Sequence, residues 1–296
     1  MERTHEKIKS IRSTRRGIIL MIIHAIAMSI LYVISKKLTK IISPEQVAFL
    51  YKLGVFVIAF PWYLAKGLYQ TIKTNVIHWH FARGGFSLLA TIFFYKAIQS
   101  IKVADAAAIT YLENILVMLV GVFFFKEKFS LSKIIIAICG ITGALLIIKP
   151  GFESFSSSYI YIMYSLVFWM CNNIVVKVLG KTEKTHTQLF YSSLFGSILA
   201  IPMIIGKNWN GIELWYNFQY IPALAVLHAI HVIAFFRSFK AAEISTVMPF
   251  DYSRLIFTGI LGYCLFNEKP DAISLLGYFI ICFGGIYSVY NETVLK

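Results

Sequence analysis

Glu113 and Arg254 are charges of opposite sign, each placed well inside a long apolar run. An ionisable group at the centre of a membrane span costs at least ~2.5 kcal/mol on insertion scales, so each needs a partner or a task. Position 254 lies 141 residues beyond 113, an offset that recurs along the chain. A pair so related can be a clasp between two repeats or a recognition centre for a zwitterion. It can also be both: closed when the site is empty and opened by the ligand. Asp251 lies three residues before Arg254 and shares a helical face with it and with Thr258. It either neutralises Arg254 within the helix or offers a carboxylate to a substrate cation or a coupling proton. Pro249, just ahead of both, frees a backbone carbonyl and can open the helix locally.

Other polar groups follow the same logic. Trp169, Asn172, Asn173 and Lys177 make a polar and aromatic stripe. The adjacent amides either bond between helices or read the edge of a planar polar ligand, and Lys177 is placed to snorkel. Arg83, Ser87, Thr91 and Tyr95 recur at helical spacing, with Phe94 beside them, and Arg83, close to the cytoplasmic entrance, is expected to snorkel. Asp105, Ile109 and Glu113 share a face, and Asp105 is expected to cap its helix. His228 and His231 have a spacing that can hold metal, but no third ligand accompanies them, so helix–helix bonding or proton relay is the better reading. His24 has the same ambiguity, and Lys52 can face a cavity or an interface. Cys139, Cys171, Cys264 and Cys282 lie in apolar runs without CxxC spacing. No metal and no cofactor are expected. A Ser/His/Asp set, HExxH, an acidic metal box and a Walker A motif are all missing from the sequence, which argues against an enzyme and against direct drive by ATP.

The elements that carry these residues are apolar runs. The chain is 58% hydrophobic, and a span needs about 20 apolar residues. The runs give spans at 17–35, 47–65, 81–98, 104–125, 133–149, 159–179, 187–205, 221–240, 245–266 and 272–290. The expected fold is therefore an all-α membrane protein with ten transmembrane helices. At the offset of 141, Pro61 meets Pro202, Tyr111 meets Tyr252, Gly143 meets Gly284, and Phe125-Lys126-Glu127-Lys128 meets Phe266-Asn267-Glu268-Lys269. Five spans per copy is odd, so the copies enter the membrane from opposite sides. Two inverted five-helix repeats are the plan of a secondary transporter with a site at mid-membrane. The expected organisation is a basic segment at 1–16, a first repeat at 17–155 and a second at 158–296. Gly140/Ala144 and Gly284-Gly285 read as close helix contacts.

The net charge of +14 fits basic cytoplasmic loops better than nucleic acid. With both termini inside, 17 Lys and Arg fall on the cytoplasmic face and 8 on the other. Ala25-Ile26-Ala27 matches a cleavage pattern, but the apolar run continues through Ile34, so an uncleaved first span is expected. The expected partners are a small-molecule substrate and the bilayer, with no nucleic acid, in a monomer or weak dimer of the inner membrane.

The stretches Tyr95 to Lys149 and Phe236 to Tyr290, each with a short span ending in a Glu at a loop, resemble the drug/metabolite transporter superfamily of EamA type. Within it the chain resembles the S-adenosylmethionine uptake transporters of obligate intracellular bacteria such as rickettsiae. Lys outnumbers Arg 21 to 7, a bias that suits an AT-rich genome. The resemblance implies a cavity lined by spans one, three, four, six, eight and nine, and a substrate with a carboxylate, an ammonium, a sulfonium and an adenine. Arg254 would then hold the carboxylate, and Glu113 or Asp251 the ammonium. Trp169, Phe94, Tyr111 or Tyr252 would face the sulfonium through cation–π contact worth ~1–2 kcal/mol. Asn172 or Asn173 would read adenine, with Thr91 on the span-three face of the same cavity. Amino acids and other small metabolites remain the alternative substrates, in either direction.

Overall fold

The computed structural model describes residues 2–113, 116, 131–149, 156–241 and 247–294. Its elements are α1 (Glu2–Thr39), α2 (Pro44–Ala65), α3 (Leu68–Ile72), α4 (Ile77–Ser100), α5 (Val103–Thr110) and α6 (Leu131–Ile148). They continue with α7 (Ser158–Leu179), α8 (Thr185–Ile204), α9 (Gly211–Tyr216) and α10 (Tyr220–Ala241). A 3₁₀ turn (Met248–Tyr252) then leads into α11 (Ser253–Phe266), and α12 (Ala272–Val294) follows. Among the described residues there is no strand. Among the described residues five helices are long and apolar enough to cross a membrane: Ser13–Thr39 within α1, α2, α7, α8 and α10. Ile138–Ile148 and Ala272–Gly284 are shorter apolar helices. The fold is a multi-helix membrane protein. The second half of expected span four, with Phe125 to Lys128, lies outside the described residues, as do the first two residues of span nine.

The chain forms two compact units, and each draws on both sequence repeats. The first holds residues 1–33, 102–155 and 227–296. The second holds 34–101 and 156–226. In the first, α6 and α12 pack backbone to backbone. A Cβ on Gly143 would stand 2.5 Å from Ile281 Cγ1 and 2.8 Å from the Gly277 carbonyl. One on Gly277 would stand 2.7 Å from the Gly143 carbonyl, and one on Gly284 would stand 2.5 Å from Cys139 Cβ. Small residues bring the helices together, with Gly143, Gly277 and Gly284 at points of close approach.

The termini in this unit cap one another. Asn267 ends α11 in the left-handed region (φ 55°), and Glu268 N–H donates to Gly262 O at 3.1 Å. The Glu268 carboxylate then accepts from Val103 N–H, the first residue of α5, at 2.8 Å. The Val103 N–H is thus taken by Glu268 rather than by Asp105. It lies inside the first turn, 3% exposed, and accepts a hydrogen bond from the Tyr278 hydroxyl of α12. The orphan N–H at the start of α5 faces the chain coming out of α11, so a long-range carboxylate reaches it first.

In the second unit, α4 packs on α7 and α8, and α2 on α8. Gly84 admits α8: a Cβ there would stand 2.6 Å from Phe195 Cβ. Phe93 and Phe168 stack at 5.6 Å, and Ser165 Oγ donates to Ala90 O at 2.9 Å. Tyr63, Phe190 and Tyr191 form a buried cluster joined by Phe56. A capping box starts α2, with Ser43 and Gln46 each accepting the other's backbone N–H. At that end Glu45 Oε1 meets Lys96 at 2.9 Å and Oε2 meets Lys207 at 2.7 Å.

Candidate functional site

Arg254 opens the first turn of α11, directly after the 3₁₀ turn that carries Pro249 and Asp251. The tighter winding sets Asp251 beside Arg254, with Asp251 Oδ2 3.3 Å from Nη2. Both residues are buried, at 7% and 8% exposure. The guanidinium also donates from Nε to the Tyr111 hydroxyl at 3.2 Å and from Nη1 to the Tyr32 hydroxyl at 3.5 Å. It lies 4.6 Å from the centre of the Tyr111 ring, within cation–π range. Tyr111 in turn donates to the Asp251 carbonyl at 2.8 Å and stacks on Tyr252 at 4.6 Å with the planes 30° apart. Since Tyr111 and Tyr252 are equivalent at the offset of 141, like positions of the two repeats meet at this point.

The charge of Arg254 is thus met inside its own turn, and the guanidinium fork is largely occupied. The second Asp251 oxygen, Oδ1, is buried without a hydrogen bond among the described residues. His24 Nε2 stands 3.5 Å from it, an ion pair when the imidazole is protonated. His24 Nδ1 lies 3.0 Å from the His231 carbonyl, and His231 Nε2 lies 3.0 Å from His228 Nδ1. The His228/His231 spacing seen in the sequence therefore continues, through the His231 backbone and His24, to Asp251. Among the described residues no group of three His, Cys, Asp or Glu gathers as a metal site. Around the core, the Arg254 carbonyl accepts from Thr258 at 2.7 Å and from Ser29 at 3.3 Å. These bonds fix the backbone of α11 against α1.

Glu113 belongs to the same unit, half-buried, and its charge acts on the Tyr32 hydroxyl. The carboxylate seen against Arg254 is that of Asp251. The other expected site residues lie in the second unit. Thr91 and Phe94 are buried on α4, and Thr91 Oγ1 donates to Ser87 O at 2.8 Å. Asn172 is buried on α7 and donates to Asn173 Oδ1 at 3.4 Å, while its own Oδ1 has no hydrogen-bond partner among the described residues. Trp169 lies half-buried on the same helix.

The structure therefore gathers Asp251, Arg254, Tyr111 and Tyr252 in one cluster and keeps Thr91, Phe94, Trp169, Asn172 and Asn173 on α4 and α7. Sequence reading missed the link from His24 to Asp251 and the Tyr32 contact with Arg254. His24 and Tyr32 lie eight residues apart on α1 with Met28 between them, an i, i+4, i+8 pattern that marks one face.

Comparison with known proteins agrees with this architecture. The S-adenosylmethionine uptake transporter of Rickettsia bellii is 22% identical over 88% of each chain. That of Rickettsia prowazekii is 20% identical over 96% of this chain and 95% of its own. The riboflavin transporter of Vibrio cholerae is 21% identical over 80% of each. A protein of known crystal structure superposes with a TM-score of 0.64 at 15% identity, over 96% of this chain and 99% of its own, which shows a shared fold. The EamA-like transporter family model matches twice, at residues 15–149 and 156–290, and the chain belongs to that family.

Proposed function

We propose that this chain is a secondary transporter of the bacterial inner membrane that imports S-adenosylmethionine, in exchange for S-adenosylhomocysteine. The single observation behind the choice of a cationic substrate is the Asp251 carboxylate: one oxygen is held by Arg254, and the other is buried without a hydrogen bond among the described residues, 3.5 Å from His24 Nε2, in a cluster that holds the stacked Tyr111 and Tyr252. A negative oxygen next to aromatic faces suits an onium group, sulfonium or ammonium. The role first assigned to Arg254, holding the substrate carboxylate, shifts to holding Asp251 in place. Both uptake relatives from Rickettsia share the substrate named here, across most of their length.

The chain acts as two five-helix repeats of opposite topology, with both termini cytoplasmic, and moves its substrate by alternating access without chemistry on it. Uptake of radiolabelled S-adenosylmethionine into cells producing the protein tests the reading. Saturable uptake is expected, blocked by S-adenosylhomocysteine and unaffected by methionine, adenosine or riboflavin. Competition by riboflavin or methionine instead would replace the substrate.

A further inference from the structure

The carbonyl of His231 fixes the tautomer of His24. His24 Nδ1 lies 3.0 Å from that oxygen, and a carbonyl only accepts, so Nδ1 carries a proton. In a neutral imidazole the other nitrogen is then a bare acceptor. That nitrogen, Nε2, faces Asp251 Oδ1 at 3.5 Å. Oδ1 is an acceptor too, buried with no hydrogen bond among the described residues. Two lone pairs therefore oppose each other in a buried place unless a proton joins Nε2. With that proton the contact becomes an imidazolium–carboxylate pair, and the buried oxygen gains a donor. A proton needs no cavity beyond this gap.

All of these groups lie in the first compact unit. His24 is 7% exposed and feels the charges of Asp251 and Arg254. Its ring packs on that of His231 at 5.3 Å and on Phe235 at 4.9 Å. His228 stands behind, with Nδ1 3.0 Å from His231 Nε2. The His231 carbonyl accepts and passes nothing on, so the proton belongs to His24 rather than to the His228–His231 pair. On the Asp251 side are Arg254 at 3.3 Å and the hydroxyls of Tyr32, Tyr111 and Tyr252. Glu113 acts on Tyr32, and Cys282 acts on Tyr252. With Glu113 ionised, Arg254, Asp251 and Glu113 sum to one negative charge. One added cation makes the cluster neutral, and two would leave a buried excess charge, which is costly.

We propose that His24 and Asp251 bind a coupling proton, and that this proton and the cationic group of the substrate take Asp251 Oδ1 in turn. The proposal rests on the transporter reading above and adds to it the ion that moves opposite the substrate. Near neutral pH S-adenosylmethionine carries an ammonium, a sulfonium and a carboxylate, so its net charge is a single positive one. S-adenosylhomocysteine lacks the sulfonium and is neutral overall. Exchange of the two alone would carry positive charge inward. With His24 protonated only while the onium is away, S-adenosylmethionine enters as S-adenosylhomocysteine and one proton leave, and no net charge moves. The only bond that changes is N–H. The proton passes from Nε2 to water outside as the substrate binds, and Nε2 takes one from water inside once the substrate has left.

The test is the exchange equilibrium of purified full-length protein in lipid vesicles, with S-adenosylhomocysteine inside and labelled S-adenosylmethionine outside. It is run at about pH 6.5, where an α-amino group is charged. A potassium gradient with valinomycin sets the potential, and the pH difference is set separately. In wild type the accumulation ratio is expected to change about tenfold per unit of pH difference, an acid lumen favouring entry, and not to respond to potential. His24→Gln keeps a neutral donor toward Asp251 and cannot take the proton. Its ratio should not respond to the pH difference and should rise about tenfold for each ~60 mV, inside negative, the worth of one charge. Exchange of labelled for unlabelled S-adenosylmethionine moves neither charge nor proton, and shows in the same vesicles whether the variant is folded. Should the variant be inactive, the wild-type ratios carry the test alone. A wild-type ratio that follows the potential, or a His24→Gln ratio that still follows pH, would overturn the proposal and leave the transporter reading standing. Absence of any exchange between S-adenosylmethionine and S-adenosylhomocysteine would remove that reading, and the proton site with it.

Discussion

Arg254 is a buried cation held by a few polar contacts of 3.2–3.5 Å, so single substitutions there have large expected effects. Asp251→Asn removes its counter-charge and leaves the guanidinium buried and unpaired, a change that typically costs ~3–5 kcal/mol. A lower folded yield and an earlier thermal transition are expected, and removing both charges in Asp251→Asn/Arg254→Gln should recover much of the yield without transport. Tyr111→Phe deletes the hydroxyl that serves both the Asp251 carbonyl and Arg254 Nε. Leaving those buried groups without it should cost ~1–3 kcal/mol, read as a drop in melting temperature. At this scale the sequence was informative where partners are close along the chain. The Asp251–Arg254 contact follows from an i, i+3 spacing. The Tyr111 and His24 contacts with Asp251 span 140 and 227 positions, and no local periodicity announces them.

Helix ends are the next scale, and there one carboxylate closes two elements. Glu268 caps α5 across a long separation, while its own N–H closes α11. Glu268→Ala should cost ~1 kcal/mol, typical of a lost cap, and Glu268→Gln, which keeps an acceptor, should cost less. Asp271 is a second cap, accepting from Ser274 N–H at 3.0 Å, and it pairs with Lys149 at 2.6 Å. Partial burial pushes the Asp271 carboxyl up. Lys149 and the Ser274 donors more than reverse this and hold it below the usual carboxylate range. Its folded pKa is thus depressed, so its stabilisation is complete above the ordinary value of 3.8 and disappears as pH falls through the folded value. Asp271→Asn should therefore lower the melting temperature at neutral pH, with the difference from wild type shrinking in acid. The repeated Phe-x-Glu-Lys pattern was legible as a motif at a span's end. Its work as a cap on another helix was not, because that requires knowing which termini meet.

At the scale of the whole molecule, the fold class and the repeat were legible because apolar length and a fixed offset are one-dimensional signals. The composition of the compact units was not. Equivalent positions of the two repeats, such as Tyr111 and Tyr252, meet within one unit, and each unit takes segments from both halves of the chain. A half expressed alone therefore lacks partners for its buried faces. Residues 1–152 and 153–296 produced separately should each be degraded, and produced together they should restore uptake. Folding of either half alone, seen as a monodisperse helical species in detergent, would contradict the interleaved packing.

The claim on which the rest depends is that this chain carries S-adenosylmethionine across a membrane. The direct measurement is counterflow with purified protein in lipid vesicles loaded with unlabelled S-adenosylhomocysteine. Labelled S-adenosylmethionine should enter these vesicles saturably, well above protein-free controls, and enter unloaded vesicles more slowly. No influx above the control, from protein shown to be folded and inserted, would contradict the account.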